Sequence, residues 1–364
     1  MNILYFIIAL LVLALMIFIH ELGHYTAGRL LGFKILDFSI GFGPALFKFK
    51  KNDITYALRA IPLGGACRFY GEEDDPIDAV SFNSQKPWKR LIVIFAGPFM
   101  NFVLAYILAV VMMFSFGQTA YKTYDNGDIA VMINDLTADG AAQRAGIMAG
   151  DMLLKVNNSS IEDEPHDFED KLNVVSDAIS AAPSDGLTVT VKRGDERLEI
   201  FVSNIYNAEE GRNIIGIVMG GEQYFIPYGF FESFGEAGKT LIDIVKLTFE
   251  AIFNGLTKGF KDGDVSGIVG TVAITMKMAS KGFYYLMFVM VLISMSLGIM
   301  NLLPILPMDG GHLLFDFIEL VVGKPVPRKI QNVLSIIGIV LLIGLMVYAT
   351  IGDIKGLANG LFNW

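Results

Sequence analysis

The chain has 364 residues, 53% of them hydrophobic and 18% charged, with a mean hydropathy of +0.53. Soluble domains carry about 25% charged residues, so an ordinary soluble protein is excluded and a membrane protein with a modest water-exposed part is expected. The net charge of −9 excludes a basic nucleic-acid-binding face, and the single cysteine, Cys67, excludes an intrachain disulfide.

Seventeen apolar residues run without interruption from Ile3 to Ile19, and His20-Glu21-Leu22-Gly23-His24 follows directly. A bilayer core about 30 Å thick needs roughly 20 apolar residues as helix, so a first span is predicted over about 3–24. The alternative, a cleavable signal peptide, lacks a basic start and an A-x-A-like site. Residues 33–70 change period. Phe47 and Phe49, then Ile54, Tyr56 and Leu58, alternate around Lys50-Lys51-Asn52-Asp53, which reads as a β-hairpin. Its apolar content associates this hairpin with the membrane, and its strand at 45–60 is expected to offer an edge to an extended peptide. Cys67 reads as a small buried hydrophobe. Residues 72–76 read as an exposed acidic linker, and a second span is predicted over about 91–116.

Residues 117–225 form a soluble segment. Leu187 to Arg193 and Arg197 to Val202 alternate around Gly194-Asp195, a hairpin signal. Asp139-Gly140-Ala141-Ala142-Gln143-Arg144-Ala145-Gly146-Ile147, followed by Gly150-Asp151-Met152-Leu153-Leu154, resembles the signature of a PDZ domain, which implies a peptide or protein ligand added as a strand. Another small β-rich domain is the alternative. Residues 226–282 form a helical linker; Phe234, Ala237, Leu241, Ile244, Val245, Ile252 and Leu256 share helical spacing. That amphipathic helix either lies in the membrane interface or packs against the soluble segment. Spans three and four are predicted over about 284–303 and 333–351, within a C-terminal membrane part at 283–364.

Charge sets the orientation. Residues 25–90 hold ten Lys/Arg, and the loop between the last two spans holds Lys324, Arg328 and Lys329. Both are therefore expected on the cytoplasmic side. The N-terminus and residues 117–282, with 14 Lys/Arg against 25 Asp/Glu, then lie outside.

Ionisable groups at membrane depth signal function. In His20-Glu21-Leu22-Gly23-His24 one helical turn separates the two imidazoles, so both share a face with Glu21 beside them; this is the spacing of a zinc-peptidase helix. Such zinc needs a third protein ligand and an open fourth position. Asp309, in Asn301-Leu302-Leu303-Pro304-Ile305-Leu306-Pro307-Met308-Asp309-Gly310, is the candidate, at the same border and after two helix-breaking prolines. His312 competes on spacing alone, and His166, among acidic residues, reads as a surface group.

With these motifs, with Gly97-Pro98-x-x-Asn101 and with Pro62-Leu63-Gly64-Gly65, the chain resembles the site-2 protease family, zinc intramembrane metalloproteases, in its bacterial branch with one PDZ domain. The resemblance implies a mainly α-helical polytopic protein of the bacterial inner membrane, with about four spans, a membrane-associated β-hairpin and an inserted α+β PDZ domain. It implies Zn2+ held by His20, His24 and Asp309, and Glu21 as general base and proton donor. Asn301 and Asn101 are implied as substrate-binding residues, Asn101 steadying the site from the second span; polar glue between helices is the alternative for both. The implied substrates are single-span membrane proteins, such as anti-sigma factors or signal-peptide remnants, already shortened by a prior cut. Met308 and Ile268 depart from the family pattern, where Leu and Pro are usual. Two other readings remain: a PDZ-based membrane scaffold, and an anchored protease cutting loops.

Overall fold

The computed structural model describes residues 3–72, 78–163, 165–183, 185–203, 205–207, 211–259 and 266–358. Most of the expected linker at 72–76 lies outside them. In chain order, α1 (Ile3–Leu30) leads into β1 (Ile35–Lys51), β2 (Ile54–Phe69) and α2 (Pro87–Ser115). Then come β3 (Gln118–Tyr121), β4 (Met132–Leu136), α3 (Ala141–Ala145), β5 (Met152–Val156), β6 (Ser159–Ser160) and α4 (Phe168–Ser180). Next are β7 (Gly186–Arg193), β8 (Glu196–Ser203), β9 (Tyr206–Asn207), β10 (Arg212–Asn213), β11 (Ile217–Gly220) and β12 (Gln223–Ile226). Five helices close the chain: α5 (Phe230–Lys258), α6 (Ile268–Lys281), α7 (Phe283–Asn301), α8 (Asp309–Val322) and α9 (Arg328–Ala358).

Two compact units result, Met1–Ser115 with Tyr228–Trp364, and Phe116–Pro227. In the first unit, Ile3–Leu30, Pro87–Ser115, Phe283–Asn301 and Arg328–Lys355 are long and apolar enough to cross a membrane. Their exposed faces are apolar, as on α9, where Ile336, Val340 and Val347 are open. A water-solvated fold would bury such residues; a bilayer solvates them instead.

The α1 and α2 backbones approach closely because glycines line the seam. A Cβ on Gly23 would lie 2.2 Å from the Ala96 carbonyl oxygen. The hairpin sits on these helices through Phe33, Ile35, Phe38, Ile54, Phe69 and Val93. It is more folded than an alternating pattern reveals. Phe38 pairs with both Tyr56 and Cys67, and Tyr56 pairs with both Phe38 and Phe49. Residues 54–58 are therefore interior to the sheet, and its open edges are 45–51 and 61–69. The corner is made at Gly41 and Gly43, with φ of +87° and +83°, where only glycine enters without strain.

The amphipathic α5 buries Ala237 and Ile244 against Ala105 and Ala109 of α2 and Val291 and Met295 of α7. Its buried face thus meets spanning helices, not the soluble segment.

The second unit is a sheet in the order β11-β4-β5-β7-β8, with β6 on β5, and β12 paired to β3. Val131, Ile133, Leu153, Val175, Val189 and Val202 form its core with α4. Asp167 caps α4, accepting from the Glu169 and Asp170 amides.

Candidate metal centre

Residues at two distant places in the chain meet at one point. His20 and His24 lie one turn apart on α1; Asp309 is the first residue of α8. The His20 and His24 Nε2 atoms are 3.2 Å apart. The Asp309 Oδ2 atom lies 3.2 Å from His20 Nε2 and 3.5 Å from His24 Nε2.

The surroundings fix the tautomer of His24 and permit the matching one at His20. The Val93 carbonyl accepts from His24 Nδ1 at 2.9 Å, so His24 Nε2 presents a lone pair to the cluster. The Asn101 amide lies 3.3 Å from His20 Nδ1, and its Oδ1 is buried without a hydrogen-bond partner. Amide oxygen and nitrogen exchange places on rotation. With the amide turned, Oδ1 accepts from Nδ1–H and His20 Nε2 also keeps its lone pair. Two imidazole lone pairs and a carboxylate at these distances repel one another. Asp309 Oδ2 is itself buried with no hydrogen-bond partner, an expensive condition that a divalent cation relieves. The donor set, two imidazole nitrogens and one carboxylate oxygen, is that of three-ligand catalytic zinc sites. No other group of three or more metal-capable side chains occurs among the described residues.

Each ligand is seated by a local feature of sequence. Gly97 is required because a Cβ there would lie 2.3 Å from His24 Nε2. Gly310 and Gly311 let α8 start tightly against the preceding turn; their Cβ atoms would meet the Leu303 carbonyl oxygen at 2.3 Å and the Leu306 amide nitrogen at 2.7 Å. Glu21 is buried beside the ligands, 8% exposed, and its carboxylate accepts from the Cys67 backbone amide. A Cβ on Gly65 would sit 2.6 Å from Glu21 Cγ, so the 61–69 edge of the hairpin touches the carboxylate.

Of the remaining expected site residues, Asn101 is fully buried, held on His20 and, through its carbonyl, by the Ser294 hydroxyl at 2.8 Å. Its amide faces His20. Asn301 ends α7 and is half-buried. His312 is exposed and His166 pairs with Asp128 at 2.8 Å; neither joins the cluster. Burial, with Glu21 and Glu72 nearby, pushes the Cys67 thiol well up from its usual range, which leaves it inert. Val93, Ser294 and the Cys67 amide carry no motif signal, because their contribution is backbone or packing; Gly65 belongs to the Pro62-Leu63-Gly64-Gly65 motif, which gives it no role by itself.

Residues 6–345 match Peptidase family M50. A Campylobacter jejuni protein named "Putative zinc metalloprotease" is 30% identical over 362 residues, covering 96% of this chain and 93% of its own. Proteins of the same name from Clostridium perfringens and Nostoc are each 32% identical, covering 96% and 97% of this chain and 98% and 96% of their own. A match along nearly the whole chain, with the ligands converging as that chemistry needs, means that the chain belongs to peptidase family M50, the site-2 protease family, and is a zinc metalloprotease.

Proposed function

We propose that this protease cuts single-span membrane proteins inside the bilayer, after another protease has shortened them, with His20, His24 and Asp309 as ligands and Glu21 as the acid–base group. The observation that carries the reading is the placement of His20, Glu21 and His24 on an apolar helix long enough to span a membrane, with Asp309 brought against them from α8. Bound zinc supplies Lewis acidity, making a water acidic near neutral pH and polarising a carbonyl oxygen. Glu21, held by the Cys67 amide, takes the proton of the attacking water and delivers it to the leaving amine as the C–N bond breaks. Asn101 orients His20. Asn301, whose side chain makes no hydrogen bond among the described residues, is available to a substrate backbone.

A substrate helix hides its scissile bond within its own hydrogen bonds, so it must be held extended. The open 61–69 edge beside Glu21 is the strand we assign to this task. The charge pattern puts the site on the cytoplasmic side of a bacterial inner membrane and Phe116–Pro227 outside. We read that unit as a PDZ domain in which an edge strand of its sheet, β11, takes an added strand and so acts as a docking site or size filter.

Mass spectrometry of fragments from a candidate single-span substrate, with metal analysis of the same samples, tests this. Glu21→Gln is expected to retain zinc and lose cleavage, and the cut is expected within the apolar stretch. Wild-type cleavage by Glu21→Gln would favour a scaffold with a contaminating protease. A cut only in a flanking loop would favour an anchored protease.

A further inference from the structure

We propose that Arg90 is a positioning residue for the metal centre: it holds α8, through Asp316 and Glu319, so that Asp309 reaches the two imidazoles. The inference rests on the ligand assignment above and extends it to a second layer that no motif marks.

Three observations lead here. First, Arg90 lies in the first turn of α2 yet is only 4% exposed. Its Nη2 meets Asp316 Oδ1 at 2.8 Å and Glu319 Oε2 at 2.5 Å, and its Nη1 donates to the Asn83 carbonyl at 3.0 Å. A planar guanidinium fork suits such a geometry, and a lysine does not reproduce it. Second, Asp316 stands seven residues after Asp309, about 10 Å along the helix and on the same face. Glu319 follows one turn later. The polar stripe of α8 thus begins with a metal ligand and ends at Arg90. Third, no apolar side chain of this helix is fully buried; Leu313, Phe315 and Ile318 are only half-buried. The buried residues of α8 are Gly310 and Gly311, while Phe317, Leu320 and Val321 are exposed at 56%, 47% and 69%. An apolar face left open to lipid gives no directional force toward α2. The ionic cluster adds direction to the partial apolar packing of the other face.

Arg90 and Val93 belong to one turn of α2. Val93 orients His24 by its carbonyl, and Arg90 holds the helix that starts with Asp309. One turn of α2 therefore governs two of the three ligands. Burial pushes the Asp316 carboxyl up to about 6 while Arg90 pulls it down. Asp316 Oδ2 and Arg90 Nε are buried without partners. Such a cluster is a costly way to gain stability, as expected of a device kept for geometry.

The test uses the full chain in detergent, with zinc affinity read by chelator competition and cleavage split into kcat and KM. Removing Arg90 alone leaves two buried carboxylates and threatens folding, so two other variants carry the test. In Arg90→Met/Asp316→Asn/Glu319→Gln the charges leave together. Zinc affinity is expected to fall about 10- to 100-fold, the range for outer-layer partners of metal ligands, and kcat to fall with KM unchanged. Arg90→Lys keeps the charge, preserves folding and loses the fork; a smaller fall in both quantities is expected. Wild-type zinc affinity and kcat in either variant would overturn the proposal, since a purely structural cluster would change thermal stability alone. Asp309→Asn is the control. If it binds zinc as tightly as wild type, the ligand assignment fails and takes the proposal with it. If it loses zinc while the Arg90 variants do not, only the positioning role fails.

Discussion

Two glycines separate the jobs of the site at the scale of single residues. Gly97 faces His24 Nε2 and Gly65 faces Glu21 Cγ. An added methyl at Gly97 meets a ring that Val93 already pins, so it must move a ligand; overpacking of this kind costs about 1–3 kcal/mol. Gly97→Ala is expected to lower zinc occupancy and cleavage together. The methyl of Gly65→Ala meets Glu21 at Cγ and Oε1, 2.6 and 2.9 Å away, and so displaces the acid–base group rather than an imidazole. That variant is expected to keep its zinc and lose about 100-fold in kcat, the lower range for acid–base assistance. Metal analysis beside a fragment assay distinguishes them; equal zinc loss in both would refute the division of labour. The imidazoles and Glu21 were legible from spacing alone, because one helical turn is a local rule. Asp309 was reached through prolines and resemblance. Gly65 was marked by the Pro62-Leu63-Gly64-Gly65 motif but its role was not legible, and the Cys67 amide carried no mark at all, since both depend on where a strand edge lies after folding.

At the scale of elements, four apolar runs announced four long helices, but α6 and α8 were hidden. The buried residues of α6 include Gly270, Ala273 and Thr275, small groups that leave little hydrophobic period. The apolar residues of α8 fall between the spans expected at 284–303 and 333–351, in the segment read as a loop. The hairpin was visible from its period of two, yet that period does not say which strand is interior; the corner at Gly41 and Gly43 decided it. Ile268 is the first residue of α6. Its start is held from α9, where Asp353 accepts from the Gly267 and Gly270 amides at 3.2 and 2.7 Å. Proline is welcome at a first helical position, and Gly267 before it is already extended, at φ −78° and ψ −167°. Ile268→Pro is therefore expected to hold or raise stability by up to about 1 kcal/mol. Asp353→Ala strands two amides and should cost about 2 kcal/mol. Thermal unfolding in detergent ranks them, and a more damaging Ile268→Pro would show that the helix start is misassigned.

For the molecule as a whole, the soluble unit is an insertion with a closed base. The chain leaves the membrane unit after α2 and re-enters before α5, where the Tyr228 amide donates to the Met113 carbonyl at 3.2 Å. Within the inserted unit, Gln118 pairs with Ile226 and Tyr121 with Gln223, so β3 and β12 form its two-stranded stem. Units with adjacent ends and separate cores tolerate removal. The membrane unit holds the three proposed ligands and Glu21, so replacing Phe116–Pro227 by a short Gly/Ser linker is expected to leave zinc content unchanged. If the soluble unit screens substrates, cleavage of a pre-shortened single-span substrate should persist within about tenfold, and cleavage of the same substrate with its outer domain intact should rise. The ratio of the two rates is the quantity to measure, because a general loss of fold lowers both and leaves the ratio unmoved. A zinc-loaded deletion variant that no longer cuts even the shortened substrate would place part of the chemistry in the soluble unit and end the screening model.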